Sequence, residues 1–294
     1  MNNIVKRENQ SVNIDRLDAQ RHLYSKAKTY TYLIVILCVL NPVLLAIAKV
    51  VFPKMDVLVK ITVVYSFVIV FFKPLLNNCI SKLQALAARI QQLFDCDVFE
   101  LAWNEPLCGT KPAPEEVFKA RTNKDIEEFR NWYEEAVVLL DRLPGIIVCQ
   151  RTNVFYDRNL RNIYGKAVNV MFCIAFLLVF FIGFFQNPHL WDFFLKVIVP
   201  LSPIVSWMID FKKQNKLSLS ALKRLDSLVN KALDKLYHGE QIDEQVVAQI
   251  QNYIFLHRKS SYPVPDFIYA IRRKSSEAAT HYSVDEIVNK LIHE

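Results

Sequence analysis

The chain has 294 residues, of which 52% are hydrophobic and 22% are charged, and its net charge is +7 at neutral pH. This balance favours a membrane protein with large polar parts over a chain that is almost wholly embedded in lipid. The 5 glycines argue against a glycine-rich nucleotide fold and predict an α-helical protein with few tight turns. The positive charge fits contact with anionic lipid, nucleotide or nucleic acid, and it does not choose among them.

The 6 cysteines form no CxxC pair and have no histidine at metal-ligand spacing. We expect them to be free thiols in a reducing compartment. A polar segment, residues 1–28, precedes the first apolar run. We therefore expect no secretory signal peptide.

The N-terminal segment, residues 1–28, is polar, but some of its apolar side chains recur at helical intervals: Ile14, Leu17, Tyr24 and Ala27. It is predicted to be a cytosolic amphipathic helix. The following run, Thr29 to Ala48, is uncharged and is predicted to cross the membrane. Pro42 is expected to kink this span, and Asn41 is expected to bond a neighbouring helix more than to line a pore.

The strongest membrane signal is the stretch from Ala167 to Trp191, which contains no Lys, Arg, Asp or Glu. A helix needs about 20 apolar residues to cross a hydrocarbon core of roughly 30 Å, and the run from Ala167 to Gln186 meets that length. Two weaker segments, Val57 to Leu76 and Phe193 to Ile209, each follow a strong segment across a short loop. The pattern predicts two transmembrane hairpins with four spans.

Basic residues are concentrated beside one set of span ends, within residues 6–28, 73–89, 151–166 and 212–224. The opposite turns hold only Lys49, Lys54, Lys60 and Lys196. By the positive-inside rule, both termini and the long middle segment are predicted to be cytoplasmic. A two-span alternative would export the basic middle segment, and it fits worse.

The middle segment carries its own helical patterns. One apolar face continues from the second span through Ile80, Leu83, Ala87, Ile90 and Phe94. A new helix is expected after Pro114, where Glu115 and Glu116 complement the helix dipole. Another helix is predicted near residues 127–143, with Phe129, Trp132 or Tyr133, Ala136 and Leu140 as its buried stripe. Pro144 and Gly145 are expected to break it, and a helix from Gln150 is expected to enter the third span.

The C-terminal segment begins with leucines and other apolar residues at three- and four-residue steps: Leu222, Leu225, Val229, Ala232 or Leu233, and Leu236. The repeat predicts a helix that ends near Gly239, and packing against the middle segment is favoured over a coiled coil. A second helix is expected through His257. The prolines of SSYPVPDFIY then force an extended kink, and a last helix is expected to begin near Asp266.

The predicted fold is therefore an all-α integral membrane protein with two transmembrane helical hairpins and a cytosolic helical domain. Its predicted parts are an N-terminal amphipathic helix (1–28), a first hairpin (29–76), a cytosolic segment (77–165), a second hairpin (166–210) and a C-terminal cytosolic segment (211–294) that packs with 77–165. The charge pattern predicts several membrane crossings with both termini in the cytoplasm.

Catalytic and metal-binding patterns are lacking in the sequence. It contains no GxSxG, HExxH, P-loop or GxGxxG motif, and its 6 histidines are scattered. A carboxylate pair could lie among Glu127, Glu128, Glu134, Glu135 and Asp141, but this run alternates with aromatics as a solvated helix face would. We predict no enzyme activity, no catalytic or metal-ligating residue and no cofactor.

Arginine or lysine instead recurs near tyrosine in three polar segments. The candidate ligand-binding residues are Arg21, Tyr24, Tyr156, Arg158, Arg161, Arg258, Tyr269 and Arg272. Guanidinium groups bind phosphates through two hydrogen bonds and aromatic rings stack on bases, so this pairing suits a small nucleotide. The residues alone favour another interpretation, in which the cations bind anionic lipid and form internal ion pairs with Asp157, Asp266 and Glu277.

Three stretches carry a family resemblance: AQRHLYSKAK before the first span, FYDRNLRNIY before the third, and HRKSSYPVPDFIYAIRRKSSE near the C-terminus. With the order of parts, they resemble the bacterial SMODS-associating four-transmembrane effector family of cyclic-oligonucleotide-based anti-phage signalling systems (CBASS). The resemblance covers essentially the whole chain. It implies an effector that binds a cyclic oligonucleotide, made by a cognate nucleotidyltransferase after phage infection, and then damages the inner membrane.

Other classes of function stay open. A constitutive channel or transporter, a lipid-binding scaffold and a membrane-anchored enzyme are the alternatives, although the enzyme lacks a convergent acid–base pair. The expected partners are the cyclic oligonucleotide, membrane lipids and further copies of the chain, and DNA is not expected. A homo-oligomer is expected in the active state because one four-helix unit has little room for a pore through the membrane.

Overall fold

The computed structural model describes residues 2–52, 54–124, 126–185 and 189–293, together with their side chains except those at positions 190, 196 and 270–277. No strand occurs in these residues. The α-helices, in chain order, are α1 (Ile4–Glu8), α2 (Ser11–Val35), α3 (Asn41–Val51), α4 (Val57–Val98), α5 (Glu105–Cys108), α6 (Pro114–Ala120), α7 (Arg142–Phe184), α8 (Leu190–Phe193), α9 (Val199–Tyr237), α10 (Glu244–Ser260) and α11 (Asp266–His293).

Two π-helical turns join helices end to end. The turn Ile36–Leu40 connects α2 to α3, and the turn Phe194–Ile198 connects α8 to α9. Each turn ends two residues before a proline, Pro42 or Pro200. Because proline has no N–H to donate to the carbonyl four residues earlier, the widened turn re-routes the backbone hydrogen bonds at these two places. The kink predicted at Pro42 is thus preceded by a local widening of the helix.

Three continuous helices are long and apolar enough to cross a membrane in the described part of the chain: Ser11–Val51, Val57–Val98 and Arg142–Phe184. These helices contain the first two predicted spans and the third, Ala167 to Gln186, as far as Phe184; Gln186 lies outside the described residues. The fourth predicted span, Phe193 to Ile209, runs from α8 into α9 and is not among them. The all-helical class is confirmed, and the fourth crossing stays a prediction.

The predicted boundaries between membrane and polar segments all lie inside helices. Positions 28, 76, 165 and 210 fall within α2, α4, α7 and α9, respectively. Each of these helices therefore passes from an apolar segment into a polar one without a loop.

The middle segment departs from the prediction. The helix expected near residues 127–143 is replaced by two short 3₁₀ turns, Ile126–Phe129 and Glu135–Leu139. Asn131 lies between them with a φ of 52°, and its backbone N–H donates to Asn9 Oδ1 at 3.1 Å. This tertiary contact outweighs local helix propensity, since a left-handed residue cannot continue a right-handed helix.

The buried stripe of this segment shifts accordingly. Its buried side chains are Phe129, Tyr133, Val137 and Leu140, whereas Trp132 is 40% exposed and Ala136 is half-buried. The predicted break after Leu143 is also absent because α7 already begins at Arg142. Pro144 then lies in the first helical turn, where its missing N–H leaves no bond unmade.

The helix predicted over residues 1–28 is interrupted between Glu8 and Ser11, where α1 ends and α2 begins, and the remaining helical predictions are confirmed. The leucine repeat of α9 is buried, and with side chains of α1, α2, α4, α7, α10 and α11 it forms one large hydrophobic core. Glu116 caps α6 by accepting the Ala113 N–H at 2.9 Å, and α11 begins at Asp266. Asn41 donates to Tyr65 Oη on α4 at 3.1 Å, as expected for a polar residue that bonds a neighbouring helix.

Candidate ligand-binding recess

A buried polar network joins α4 to α10. Arg258 on α10 forms an ion pair with Asp95 on α4, whose side chain is only 1% exposed. Asp95 also accepts hydrogen bonds from Tyr133 Oη at 3.1 Å and from Gln251 Nε2 at 2.8 Å. These donors satisfy the hydrogen-bonding capacity of the buried carboxyl group. The network therefore fixes Arg258 at the inner side of α10.

A second ionic group lies on α7, where Asp157 and Arg161 are one helical turn apart. Arg161 Nε donates to Asp157 Oδ2 at 3.0 Å, and His257 Nε2 on α10 contacts the same oxygen. Burial by itself raises the pKa of Asp157, but the Arg161 charge and the His257 hydrogen bond outweigh it and hold that pKa well below its usual range. Arg161 Nη1 also donates to the Tyr262 carbonyl at 2.8 Å, which ties α7 to the proline-containing loop before α11.

Tyrosines from three helices surround these ionic groups. The rings of Tyr156 on α7 and Tyr269 on α11 stack with their centroids 6.4 Å apart. Lys28 Nζ on α2 lies 4.5 Å from the Tyr269 centroid, within cation–π range. Tyr24, one turn earlier on α2, contacts Gln91 Oε1 at 3.3 Å and interacts electrostatically with Arg258, Asp157 and Arg161.

These side chains form a polar cluster that is partly open to solvent, which we call the recess. Burial raises the pKa of both Tyr24 and Tyr269. Each of the two tyrosines nevertheless keeps part of its surface accessible to solvent. We define the recess by six residues: Tyr24, Tyr156, Asp157, Arg161, Arg258 and Tyr269.

The recess unites five of the eight residues predicted to hold a ligand, and they come from all three predicted segments. Two others lie elsewhere. Arg21 pairs with Glu128 at 2.7 Å and lies over the Phe129 ring, and Arg158 pairs with Asp226 on α9. Residues two positions apart do not share a helix face, so Tyr156 and Arg158 point in different directions while Asp157 and Arg161 meet. The side chain of Arg272 lies outside the described residues.

Sequence reasoning gave no ligand-site role to Asp95, Gln251 or His257. A signal existed for His257 and Arg258, because they follow directly on the buried stripe of α10. For Asp95, the signal was an acid directly after Phe94, the last residue of the predicted apolar face of α4. Neither signal names the partner, since the pairs join helices that are far apart in sequence.

The chemistry of the recess suits a ligand that carries both phosphate and an aromatic base. Its two guanidinium groups are ion-paired to carboxylates, so a phosphate would have to replace Asp95 or Asp157 as the acceptor. Three tyrosine rings offer stacking surfaces. No group of three or more His, Cys, Asp or Glu side chains that could hold a metal ion occurs in the described residues.

The fold and the recess define a class: an all-helical protein whose long helices join membrane-length apolar segments to a polar, ion-paired core. The chain belongs to the SMODS-associating 4TM effector domain family, whose family model matches residues 2–287. It is similar to the protein named "Probable CBASS effector molecule" from Bacillus cereus (strain VD146), with 25% identity over 283 residues that cover 93% of this chain and 94% of the relative. No solved structure matches the chain significantly.

Proposed function

We propose that this protein is a membrane effector of a bacterial anti-phage defence system. A cyclic oligonucleotide made by a cognate nucleotidyltransferase binds the recess on the cytosolic side. Binding then leads the protein to permeabilise or disrupt the inner membrane, and growth stops or the cell dies. The protein acts without catalysis and needs no cofactor besides this activating ligand. Family membership and the name of the Bacillus cereus relative support the defence context.

The observation that carries the ligand assignment is the convergence of separate sequence segments. Tyr24 on α2, Tyr156 on α7 and Tyr269 on α11 lie around Arg161 and Arg258. If these cations only bound lipid, they would not need to lie together or to have buried partners. Cations that bind a lipid surface stay exposed to it, whereas Arg161 is buried and Arg258 is nearly so.

The ion pairs suggest how a ligand acts. A phosphate that takes over Arg258 or Arg161 leaves Asp95 or Asp157 without its cationic partner. The helix packing that these carboxylates hold is then weakened, and a second arrangement becomes favoured. The ligand shifts the equilibrium only by the amount that it binds the second arrangement more tightly.

One four-helix unit has little room for a pore through the membrane, so we propose that the active state is a homo-oligomer. Large apolar side chains such as Phe67, Val70 and Phe71 are exposed on α4 and suit either lipid or a second copy. Mass measurement in detergent, with and without nucleotide, tests this. A monomer that keeps full activity under both conditions contradicts it.

Nucleotide binding tests the recess directly. The purified full-length protein is titrated calorimetrically with a panel of cyclic dinucleotides and trinucleotides. Tyr156→Ala should weaken binding of the active nucleotide by roughly five- to a hundredfold, since stacking of a base on an aromatic ring contributes about 1–3 kcal/mol. Tyr253→Ala is the matched control because Tyr253 is exposed on α10 outside the recess.

Cellular readouts complete the test. Growth arrest and loss of membrane potential are measured after the cognate nucleotide is produced, with protein level and membrane insertion checked. Tyr156→Ala should abolish or delay both effects, and Tyr253→Ala should leave them intact. If no cyclic oligonucleotide binds the parent protein, the ligand assignment fails. Ion flux without nucleotide would instead indicate a constitutive channel.

A further inference from the structure

A separate cleft of about 350 Å³ lies between α7 and α9. Its polar lining consists of Asn169, Lys212, Asn215, Lys216, Ser220 and Lys223. Phe211 and Leu219 supply an apolar part of the wall. The cleft shares no residue with the recess.

The three lysines lie on one face of α9. Their spacing of four and then seven residues matches the helical repeat, and all three side chains are exposed. None of them forms an ion pair with a carboxylate in the described part of the chain; Lys212 lies 6.0 Å from the Phe172 centroid. The arginines of the recess, by contrast, are paired. The cleft therefore concentrates positive charge that no acidic side chain of the described residues neutralises.

The position of the cleft indicates what neutralises this charge. The apolar run of α7 begins at Ala167, and that of α9 ends near Ile209, so Asn169 and Lys212 lie at the point where both helices change from apolar to polar. Phospholipid phosphates lie at this level of a bilayer. Lysine side chains at such a boundary extend their ammonium groups towards the headgroups.

Gly165 of α7 lies against the side chain of Asn215 on α9. A Cβ on Gly165 would lie 2.7 Å from Asn215 Nδ2, so a larger residue here would require the Asn215 side chain to move. Asn215 also lines the cleft. An amide donor beside three ammonium groups is a suitable environment for phosphate oxygens.

We propose that this cleft binds the phosphate group of an anionic phospholipid and anchors the cytosolic end of α9 at the membrane surface. The ligand's phosphate lies close to Lys212 and Lys216, with Lys223 adding positive charge about 16 Å from Lys212 along α9, while its acyl chains follow the apolar surface of the helices. This site is independent of the nucleotide site, because the two share no side chain. It anchors the protein both with and without nucleotide.

The test uses the full-length protein in a neutral detergent, with lipid binding counted by native mass spectrometry. Phosphatidylglycerol, phosphatidylcholine and inorganic phosphate are the probes. The triple variant K212Q/K216Q/K223Q should lose affinity for phosphatidylglycerol by about tenfold or more, because each lysine near an anionic headgroup contributes to its attraction. The variant K212R/K216R/K223R should retain binding, since a headgroup site requires charge rather than one side-chain geometry.

The matched control is K213Q/R224Q/K231Q, which removes three exposed positive charges of the same helix away from the cleft. It should change phosphatidylglycerol binding by less than about twofold. An equal loss in both triple variants overturns the proposal, because general surface charge would then explain the binding. Equal affinity for phosphatidylcholine, or tighter binding of inorganic phosphate than of phosphatidylglycerol, also overturns it.

Nucleotide titration of the same variants separates this inference from the proposed function. The glutamine triple variant should bind the activating cyclic oligonucleotide normally. If that variant loses nucleotide affinity but keeps lipid affinity, the cleft is a nucleotide site and the lipid assignment is wrong. If no nucleotide binds the parent protein, the proposed function fails while the lipid result stands by itself.

Discussion

The guanidinium group of Arg258 forms an ion pair with the carboxylate of Asp95, although 163 positions separate the two residues in sequence. The pair joins α10 to α4 with only 12% of the arginine side chain and 1% of the aspartate side chain exposed. Asp95 lies one turn beyond Gln91, which contacts Tyr24 of the recess. A single ionic contact thus links the C-terminal helices, the second long helix and the ligand site.

Removing Arg258 should destabilise the protein strongly. Arg258→Ala leaves a buried carboxylate without its counter-charge, a change that typically costs about 3–5 kcal/mol. Arg258→Lys should recover only part of this loss, and only part of the nucleotide affinity, because lysine lacks the planar two-point geometry. Thermal unfolding in detergent and calorimetric nucleotide titration measure the two effects.

Arg130→Ala is the control for this experiment. Arg130 forms an exposed ion pair with Glu127 three residues earlier, and such pairs contribute at most about 1 kcal/mol. An equal loss of stability in Arg130→Ala and Arg258→Ala would contradict the role given to the buried pair. If Arg258→Ala remained stable and bound nucleotide normally, Arg258 would be neither a structural nor a ligand residue.

Glu8 should make the stability of the protein depend on pH. Burial raises the pKa of its carboxyl group from the ordinary 4.5 to about 8. The folded state then holds a proton that the unfolded state releases, so the contribution of Glu8 to stability is greatest below about pH 4.5 and falls as the pH rises to about 8. Above that range this contribution is lost and no longer changes with pH. The midpoint of thermal unfolding, measured across this range, should show the decline.

Glu8→Gln removes the titrating proton but keeps an acceptor for the Tyr133 N–H, which lies 3.1 Å from Glu8 Oε2. The variant should lack most of the decline between pH 4.5 and pH 8. Glu115→Gln, at an exposed position, serves as the control and should follow the parent curve. A parent and a Glu8→Gln variant with parallel curves would show that Glu8 titrates normally.

The Lys73–Asp210 pair should respond asymmetrically to substitution. Lys73 Nζ lies 2.5 Å from Asp210 Oδ2, but the lysine side chain is 9% exposed and the aspartate side chain 56% exposed. Asp210→Asn leaves the buried Lys73 ammonium group with only two neutral partners, Ser206 and the new amide at position 210. The variant should lose about 3 kcal/mol of folding stability. Lys73→Met leaves an exposed carboxylate and should cost about 1 kcal/mol or less.

Thermal unfolding of the two single variants and of Lys73→Met with Asp210→Asn decides this prediction. The double variant should be more stable than Asp210→Asn, because no buried charge is left unpaired. A larger loss for Lys73→Met than for Asp210→Asn would show that the lysine is solvated in the membrane-bound protein.

The predicted orientation can be tested with single cysteines. Cys96, Cys108 and Cys149 are buried, so an impermeant thiol reagent cannot report which side of the membrane they occupy. Lys54 and Lys119 are exposed and lie on opposite predicted sides. With the exposed Cys79 and Cys173 changed to Ala, Lys54→Cys should be labelled from outside intact spheroplasts and Lys119→Cys should not. Strong external labelling at position 119 would refute the cytoplasmic location of the middle segment.

Helical periodicity predicted most of the fold because it depends on local spacing. The faces of α2, α4, α9 and α10 are buried where the apolar repeats placed them. The segment containing Asn131 could not be predicted in this way. Its turns depend on a contact with Asn9, which no local pattern records.

The ligand site was predictable only in part for the same reason. Arginine or lysine near tyrosine in three segments predicted a ligand with phosphate groups and aromatic bases. The structure brings Tyr24, Tyr156 and Tyr269 close to one another. The pairing of Arg158 with Asp226 was not visible, because it depends on which face of α7 packs against α9. Ion pairs between distant helices require the tertiary arrangement, and a single sequence does not contain it explicitly.

Because no loop separates the polar and apolar segments of the long helices, a tilt at one end of such a helix displaces its other end. In α7, which has 43 residues, Arg161 lies 23 residues before the final Phe184, a distance of about 35 Å at about 1.5 Å per residue. A tilt of about 5° at the recess therefore displaces the far end by about 3 Å, with no hinge between the two to absorb it. A small change in packing around Asp157 therefore moves the opposite end of α7 by about the width of a methyl group.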